Sequence, residues 1–369
     1  MTGLYVHIPY CINKCPYCDF VSFDDKPYYI DDYLGAVADE LRYYCNNFDI
    51  APETLFIGGG TPTSLNPGRL DFLFANIFFY SAKKNFKEIT IEANPDTLTF
   101  KKAKVLKANT NRVSLGAQSF DGETLKILGR THTPEKIKEA FSLLKEAGIE
   151  NINIDIMYGI PGRTPEDVLK DIEKASELQP AHISFYMFTL YEHTEFYRRN
   201  PALPDDKTVE KMYFEGVKLL EKKGYRQYEI SNFAVPGSEC LHNLNYWNSG
   251  SYIGLGVSAS SYFNGVRRTN VKDIDEYIKR IKENKDPAGF SETPDTETME
   301  KEYIMLKLRT TAGILYENFR ERFGFDFEEK YSSIIKKYAG TGHLMADKSG
   351  VCISMKGMPV SNSIISDFF

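Results

Sequence analysis

The sequence predicts an α/β fold, a partial (β/α)6 TIM-like barrel followed by a small, mainly helical C-terminal domain. Three observations lead there. Over residues 1–234, six short apolar runs alternate with helix-periodic segments, the pattern of parallel strands joined by right-handed crossovers. The unusual residues gather just beyond the ends of those runs, at the face where α/β barrels carry their active sites. From about Pro294 the pattern turns helical. A doubly wound sheet fits the same alternation, and periodicity alone does not separate the two.

The first strand is Leu4–Ile8, followed by a cysteine-bearing loop and a helix over Tyr28–Cys45. In that helix Ile30, Leu34, Val37, Ala38, Leu41 and Cys45 recur at helical spacing, which marks Cys45 as a core residue. The second strand, Thr54–Ile57, ends in Gly58-Gly59-Gly60, and its helix starts near Pro67. The third, Glu88–Glu92, leads through Asn94-Pro95 to a helix over Phe100–Lys107. After Arg112–Leu115 comes the amphipathic helix Pro134–Ala147, with Gly148 as its C-terminal stop. Asn151–Met157 precedes Gly159-Ile160-Pro161-Gly162 and a helix over Pro165–Leu178; His182–Phe188 and the helix Val209–Lys223 complete the sixth unit. Residues 235–293 read as a loop-rich connecting segment. Residues 294–369 form the end domain, with helices at Thr298–Thr311, Tyr316–Phe323 and Phe327–Tyr338, a strand-like tail at Val351–Ser354, and with it a short hairpin.

Composition narrows the function. The 369 residues allow a large core and more than one domain, and the 42 % hydrophobic content is ordinary for a globular chain. A formal net charge of −6 argues against a dedicated nucleic-acid binder. No apolar run reaches membrane-spanning length, so any membrane association is expected to be peripheral. No targeting signal is visible, which predicts a cytoplasmic protein.

Cys11, Cys15 and Cys18 form a C-x3-C-x2-C cluster in one short loop. Three converging soft thiolates suit an iron–sulfur cluster or zinc. A cubane held by three cysteines leaves one iron open to a small molecule, which points to ligand binding or catalysis. Zinc would need a fourth ligand, with His7 and Asp19 near enough in sequence, or an open position. A disulfide fits poorly with an intracellular pattern of scattered cysteines. The glycine stretch Gly58 to Thr63 lacks the spacing of a P-loop or a dinucleotide site. By itself it reads equally well as a tight turn or as a place where a ligand approaches the backbone.

Taken together, these motifs make the chain resemble the radical S-adenosylmethionine (SAM) superfamily. The nearest branch is that of the oxygen-independent coproporphyrinogen III oxidases and the HemW haem chaperones. The shared pieces are Tyr5 to Cys18, Gly58 to Thr63, Glu92 to Pro95, Gly116 to Phe120, Leu128 to His132 and Asn153 to Gly162. The resemblance implies that Cys11, Cys15 and Cys18 hold a 4Fe–4S cluster whose open iron chelates SAM. It further implies that Tyr5, Gly59, Gly60, Thr61 and Glu92 contact that cofactor. Gln118, Arg130 and Asp155 match polar positions of the same cavity, which in the oxidase hold a second SAM, and Tyr17 packs on the adenine side.

Within the branch two functions compete. One is oxidative decarboxylation of coproporphyrinogen III to protoporphyrinogen IX; the other is binding haem and delivering it to apo-proteins. The oxidases carry a further cysteine two places after the third, where this chain has Phe20, and a long segment before their cysteines, where ten residues precede Cys11. His242-Asn243-Leu244-Asn245-Tyr246-Trp247 matches the H-N-x-x-Y-W motif associated with haem in the chaperones. An imidazole is a good axial ligand for haem iron, so His242 is the candidate ligand, with Cys240 ranked below it. A loop histidine making an ordinary hydrogen bond is the competing reading of His242. The chaperone reading predicts haem as cargo, haem-accepting apo-proteins as partners, and an electron donor such as a flavodoxin or ferredoxin.

Overall fold

The structure is a computed structural model and describes residues 1–24, 29–81 and 86–369. Six parallel strands follow one another across the sheet in chain order: β1 (Thr2–Ile8), β2 (Thr54–Gly59), β3 (Glu88–Ala93), β4 (Arg112–Gln118), β5 (Asn151–Tyr158) and β6 (His182–Met187). Unbroken sequential order is the order of a barrel wall. A doubly wound sheet would reverse it at a switch point. The crossovers are α1 (Ile30–Asn47), α2 (Pro67–Ser81), α3 (Phe100–Asn109), the pair α4 (Gly122–Ile127) and α5 (Pro134–Glu146), and α6 (Pro165–Glu177). After β6 come a short α7 (Glu195–Arg198) and α8 (Asp206–Lys222). The expected start of the first helix, Tyr28, lies outside the described residues.

Local chemistry sets the helix starts. Thr99, Thr133 and Asp205 each accept a hydrogen bond from the backbone three residues on, and Thr164 and Asp167 form a reciprocal capping box. Such a cap is worth about 1 kcal/mol. Pro134 and Pro165 follow their caps at the first helical position, where no N–H is needed. On α1 the buried face includes Tyr33, Glu40 and Tyr44 as well as the aliphatic stripe, and Cys45 is half-buried against the core.

The loop-rich expectation for 235–293 is corrected. After the short β7 (Arg226–Gln227) and β8 (Asn232–Ala234), this segment forms α9 (Leu241–Trp247), β9 (Ser251–Leu255), β10 (Ser260–Phe263), β11 (Val266–Asn270), α10 (Ile274–Lys282) and β12 (Ala288–Glu292). β9 pairs parallel with β1, and β10 to β12 extend that edge antiparallel. Among the described residues the sheet thus has twelve strands, ordered β12-β11-β10-β9-β1-β2-β3-β4-β5-β6-β8-β7. Buried Glu40 of α1 ties the segment down. It accepts from Gly256 N (2.9 Å), Asn270 Nδ2 (2.8 Å) and Tyr277 Oη (2.6 Å), and burial pushes its carboxyl up to about 7.

The C-terminal part packs α11 (Thr296–Lys307), α12 (Tyr316–Phe323) and α13 (Phe327–Gly340) around Tyr303, Phe319 and Phe327. A small sheet joins β13 (Ile314–Leu315), β14 (Leu344–Ala346) and β15 (Gly350–Ile353), and α14 (Ser361–Ser366) follows. The helical character matches the expectation; α14 and the third small strand were not foreseen.

Candidate functional site

The cysteine loop springs from the end of β1 and is pinned on three sides. Cys11 N donates to Phe23 O (3.0 Å), and Phe23 N to Pro9 O (2.6 Å), closing the loop on itself. Gly60 N donates to Ile8 O (2.8 Å) and Thr61 N to Tyr10 O (2.7 Å), which locks it to the glycine stretch. On the far side Phe196 N of α7 donates to Pro16 O (2.9 Å). Gly129, at φ +69°, comes so close to Pro16 that a Cβ there would lie 2.4 Å from its Cδ.

This packing explains the glycines after β2. A Cβ on Gly59 would lie 2.6 Å from the His7 ring, and one on Gly60 would lie 2.8 Å from Tyr10 O. The stretch is therefore bare because the cysteine loop lies on it, and the same bareness opens the adjoining cavity.

That cavity, about 410 Å³, sits at the C-terminal ends of the parallel strands. Cys11, Cys15, Tyr17, Cys18, Gly59, Gly60, Thr61, Glu92, Gln118, Arg130 and Asp155 all line it. Thr61 Oγ1 donates to Cys11 Sγ (3.7 Å), and Arg130 Nη1 donates to Cys15 Sγ (3.5 Å) while its Nη2 holds Gly116 O (2.7 Å). Burial pushes the Cys11 thiol up and the Cys18 thiol up to about 11. Glu92 Oε2 accepts from Gly59 N (3.1 Å). Burial, and then the neighbouring Asp155 carboxylate, push Glu92 up to about 8. Asp155, itself raised by burial, accepts from Asn153 Nδ2 (2.6 Å). Gln118 sits at φ +71° past a register shift in β4, and its side-chain oxygen accepts from Tyr186 Oη. The turn is fixed from behind by buried Asp171 of α6, which accepts from Ser119 Oγ (2.6 Å) and Phe120 N (2.8 Å).

Two expected site residues lie elsewhere. Tyr5 faces a neighbouring cavity, with its Oη donating to His7 Nδ1 (3.1 Å). His242 is 1 % exposed and lines neither cavity. Its Nδ1 pairs with Thr54 Oγ1 (2.8 Å) and its Nε2 with Tyr246 Oη (2.9 Å). Burial, and then the charge of Arg112, push its pKa down to about 3. In this conformation neither nitrogen is open to an iron. Cys240 is fully buried, with its thiol donating to Glu88 Oε1 (3.2 Å). The two fourth ligands weighed for zinc are engaged as well: His7 Nε2 donates to Val21 O (2.8 Å), and Asp19 pairs with His193 (2.6 Å).

Sequence reasoning missed much of the polar wall: Arg112 and Ser114 on β4, Asn153 on β5, and Ser184 and Tyr186 on β6. The signal was present. On strands otherwise filled with Val, Ile, Leu and Phe, these residues recur at every second position and so share one face.

The cavity suits the groups that the resemblance implies. Among the described residues no three His, Cys, Asp or Glu side chains converge as a single metal ion requires. Three thiols spread around a loop instead match a cubane that binds each cysteine at a separate iron. Two buried carboxylates in one cavity call for a cationic ligand rich in donors, which a sulfonium with an ammonium and ribose hydroxyls provides. Arg112, Arg130 and Asn232 line the cavity, and their Nε, Nε and Oδ1 atoms are buried without partners.

Comparison with known proteins agrees with this geometry. The pattern described as Radical SAM superfamily matches residues 5–175, and that of the HemN C-terminal domain matches 295–360. The heme chaperone HemW of Lactococcus lactis subsp. lactis is 35 % identical over 99 % of this chain and 96 % of its own length. That of Bacillus subtilis is 34 % identical over 100 % and 99 %. In fold, the chain is similar to the coproporphyrinogen III oxidase HemN of Escherichia coli, at a TM-score of 0.87 and 23 % identity over 100 % of this chain and 89 % of that one. With a radical SAM barrel, a HemN-type C-terminal domain and near full-length similarity to these relatives, the chain belongs to the HemW family of the radical SAM superfamily.

Proposed function

We propose that this protein is a haem chaperone, binding haem and delivering it to apo-proteins while carrying a 4Fe–4S cluster and SAM. The observation that carries the reading is the similarity to proteins named heme chaperone HemW along essentially the whole chain. The likeness to the oxidase, at 23 % identity, is one of fold. Phe20 supports the same reading. It is 62 % exposed on the cavity rim, at the place where the oxidases carry their extra cysteine.

Cys11, Cys15 and Cys18 would hold the cluster, with Arg130 Nη1 donating to Cys15 Sγ. Gly59, Gly60, Thr61, Glu92, Gln118, Asp155 and Tyr17 would hold SAM in the remaining volume. When bound, the pair supplies one-electron reductive cleavage of the sulfonium. The chain's own part is to orient the ligand with two carboxylates, exclude water with Tyr17 and the apolar group around Phe188, and keep the thiols together on a pinned loop.

The test is an anaerobic haem titration of the cluster-reconstituted protein, followed at the Soret band, with coproporphyrinogen III turnover measured in a parallel aliquot. Stoichiometric haem binding without turnover is expected. Turnover without saturable haem binding would make the protein an oxidase.

A further inference from the structure

The cavity that Tyr5 faces is the larger of the two, about 710 Å³. It opens between the β9–β11 edge of the sheet, the chain just after the last cysteine, and α11. Its walls are aromatic and soft: Tyr246, Tyr252 and Tyr262 on one side, Met299 and Met305 on the other. Tyr246 and Tyr252 meet edge to face with centroids 4.7 Å apart. A small-molecule site typically combines such apolar walls with a few charged groups at fixed places.

The charges here are unevenly satisfied. Arg267 is held between Glu292 and Glu302, and Asp19 is paired with His193. The two carboxylates that face this cavity, Asp19 and Glu302, thus already have partners. Lys272 and Arg322 are exposed at its rim and form no ion pair among the described residues; Arg322 lies over the Tyr303 ring at 5.2 Å. The available charge is therefore positive. The barrel cavity is smaller and mixes both signs, with Glu92 and Asp155 beside Arg112 and Arg130 in its wall.

Resting on the haem-chaperone reading, we propose that this second cavity is the haem seat. The macrocycle is a flat apolar body with two carboxylates and an iron. The tyrosines offer faces and edges for the ring, Lys272 and Arg322 offer cations for the propionates, and the Met299 and Met305 thioethers lie within the ligand repertoire of haem iron. The barrel cavity, at about 410 Å³, would be taken up by the cluster and SAM, and His242 is closed off by its two hydrogen bonds. Phe20, which lines both cavities, then stands between the haem edge and the cluster loop. Cargo and cluster would be neighbours without sharing a chamber.

The test is a haemin titration of the cluster-reconstituted wild type and of three variants. The charge-reversed pair Lys272→Glu/Arg322→Glu is expected to bind haemin at least tenfold more weakly. Ser260→Trp, which fills the cavity from β10, is expected to do the same. Lys101→Glu/Lys104→Glu, an equal charge change on distant α3, is expected to match the wild type. Iron and sulfide content and far-UV circular dichroism report folding. If Ser260→Trp folds poorly, the charge-reversed pair, altered only at exposed positions, carries the test alone. Wild-type affinity in that pair, or an equal loss in the α3 control, overturns the seat and leaves the chaperone reading standing. A wild type with no saturable binding overturns the reading on which the seat rests.

Discussion

The two ends of the barrel interior contain much the same residue types and treat them in opposite ways. At the N-terminal end α9 closes the interior, and most polar groups there find partners, Arg112 Nε and Asn151 Oδ1 at the starts of β4 and β5 excepted. Glu88 accepts from Leu241 N (2.7 Å), His242 N (3.2 Å) and Cys240 Sγ (3.2 Å). His242 is held by Thr54 and Tyr246, and His182 by Asn153 and Tyr228. At the C-terminal end Arg130 Nε is buried without a partner, and burial, then the neighbouring Asp155, raise Glu92 to about 8. A buried polar group left unmade costs about 1–3 kcal/mol. Such costs persist where a ligand offsets them. Closure, rather than polarity, separates the plug of this barrel from its site.

The contrast is broken most severely at the cysteines. Replacing Cys11, Cys15 and Cys18 together with alanine should abolish the cluster, while the closed N-terminal end keeps the barrel folded. Iron and sulfide analysis of the reconstituted variant checks the first part and far-UV circular dichroism the second. Full iron and sulfide content in the triple variant would remove these residues as ligands.

How far the sequence showed this contrast depends on what each feature needs. The cysteine loop, the glycine stretch and Asp155 were legible because contiguous residues at strand ends carry their own signal. The six strands were legible because local periodicity defines them, and their ends pointed to one shared site. The extension of the sheet was not. Its strands are four or five residues long, mix Ser, Arg and Tyr, and depend on the pairing of β9 with β1 from the other end of the chain. His242 was misplaced for a related reason. The H-N-x-x-Y-W spacing puts His242 and Tyr246 four apart on one helical face, yet only the tertiary fold turns that face onto Thr54. Asn243, the next residue of the same motif, does line the barrel cavity.

That placement gives the next prediction. His242→Ala removes a buried ring and leaves Thr54 and Tyr246 without their shared partner, at a cost of about 1–3 kcal/mol. A lower melting temperature is expected, with the haem Soret band and affinity unchanged in the protein that remains folded. An unchanged melting temperature with a lost or shifted Soret band would restore His242 as the iron ligand and erase the distinction between plug and site.

The smallest effect is also the sharpest, because it counts protons at the open end. Glu92, at about 8, is mostly protonated at pH 7, first because it is buried and then because Asp155 is its neighbour. A cationic ligand favours the carboxylate, so its pKa falls on binding and a proton leaves. Calorimetry of SAM binding at pH 7, repeated in buffers of different ionisation enthalpy, should therefore show proton release. The Glu92 contribution should fade above about pH 9, where the group is already ionised. In Glu92→Gln it should vanish at every pH, so any release that survives in the variant belongs to Asp155 or to the ligand's own amino group. The same shift sets a sign for stability. Because the folded state holds this proton while the unfolded chain loses it near its ordinary 4.5, the ligand-free protein should weaken as pH rises from about 4.5 to about 8. Bound SAM should flatten that slope. An identical slope with and without SAM would mean that the two carboxylates do not meet the ligand, and the cavity would lose the feature that most clearly sets it apart from the plug.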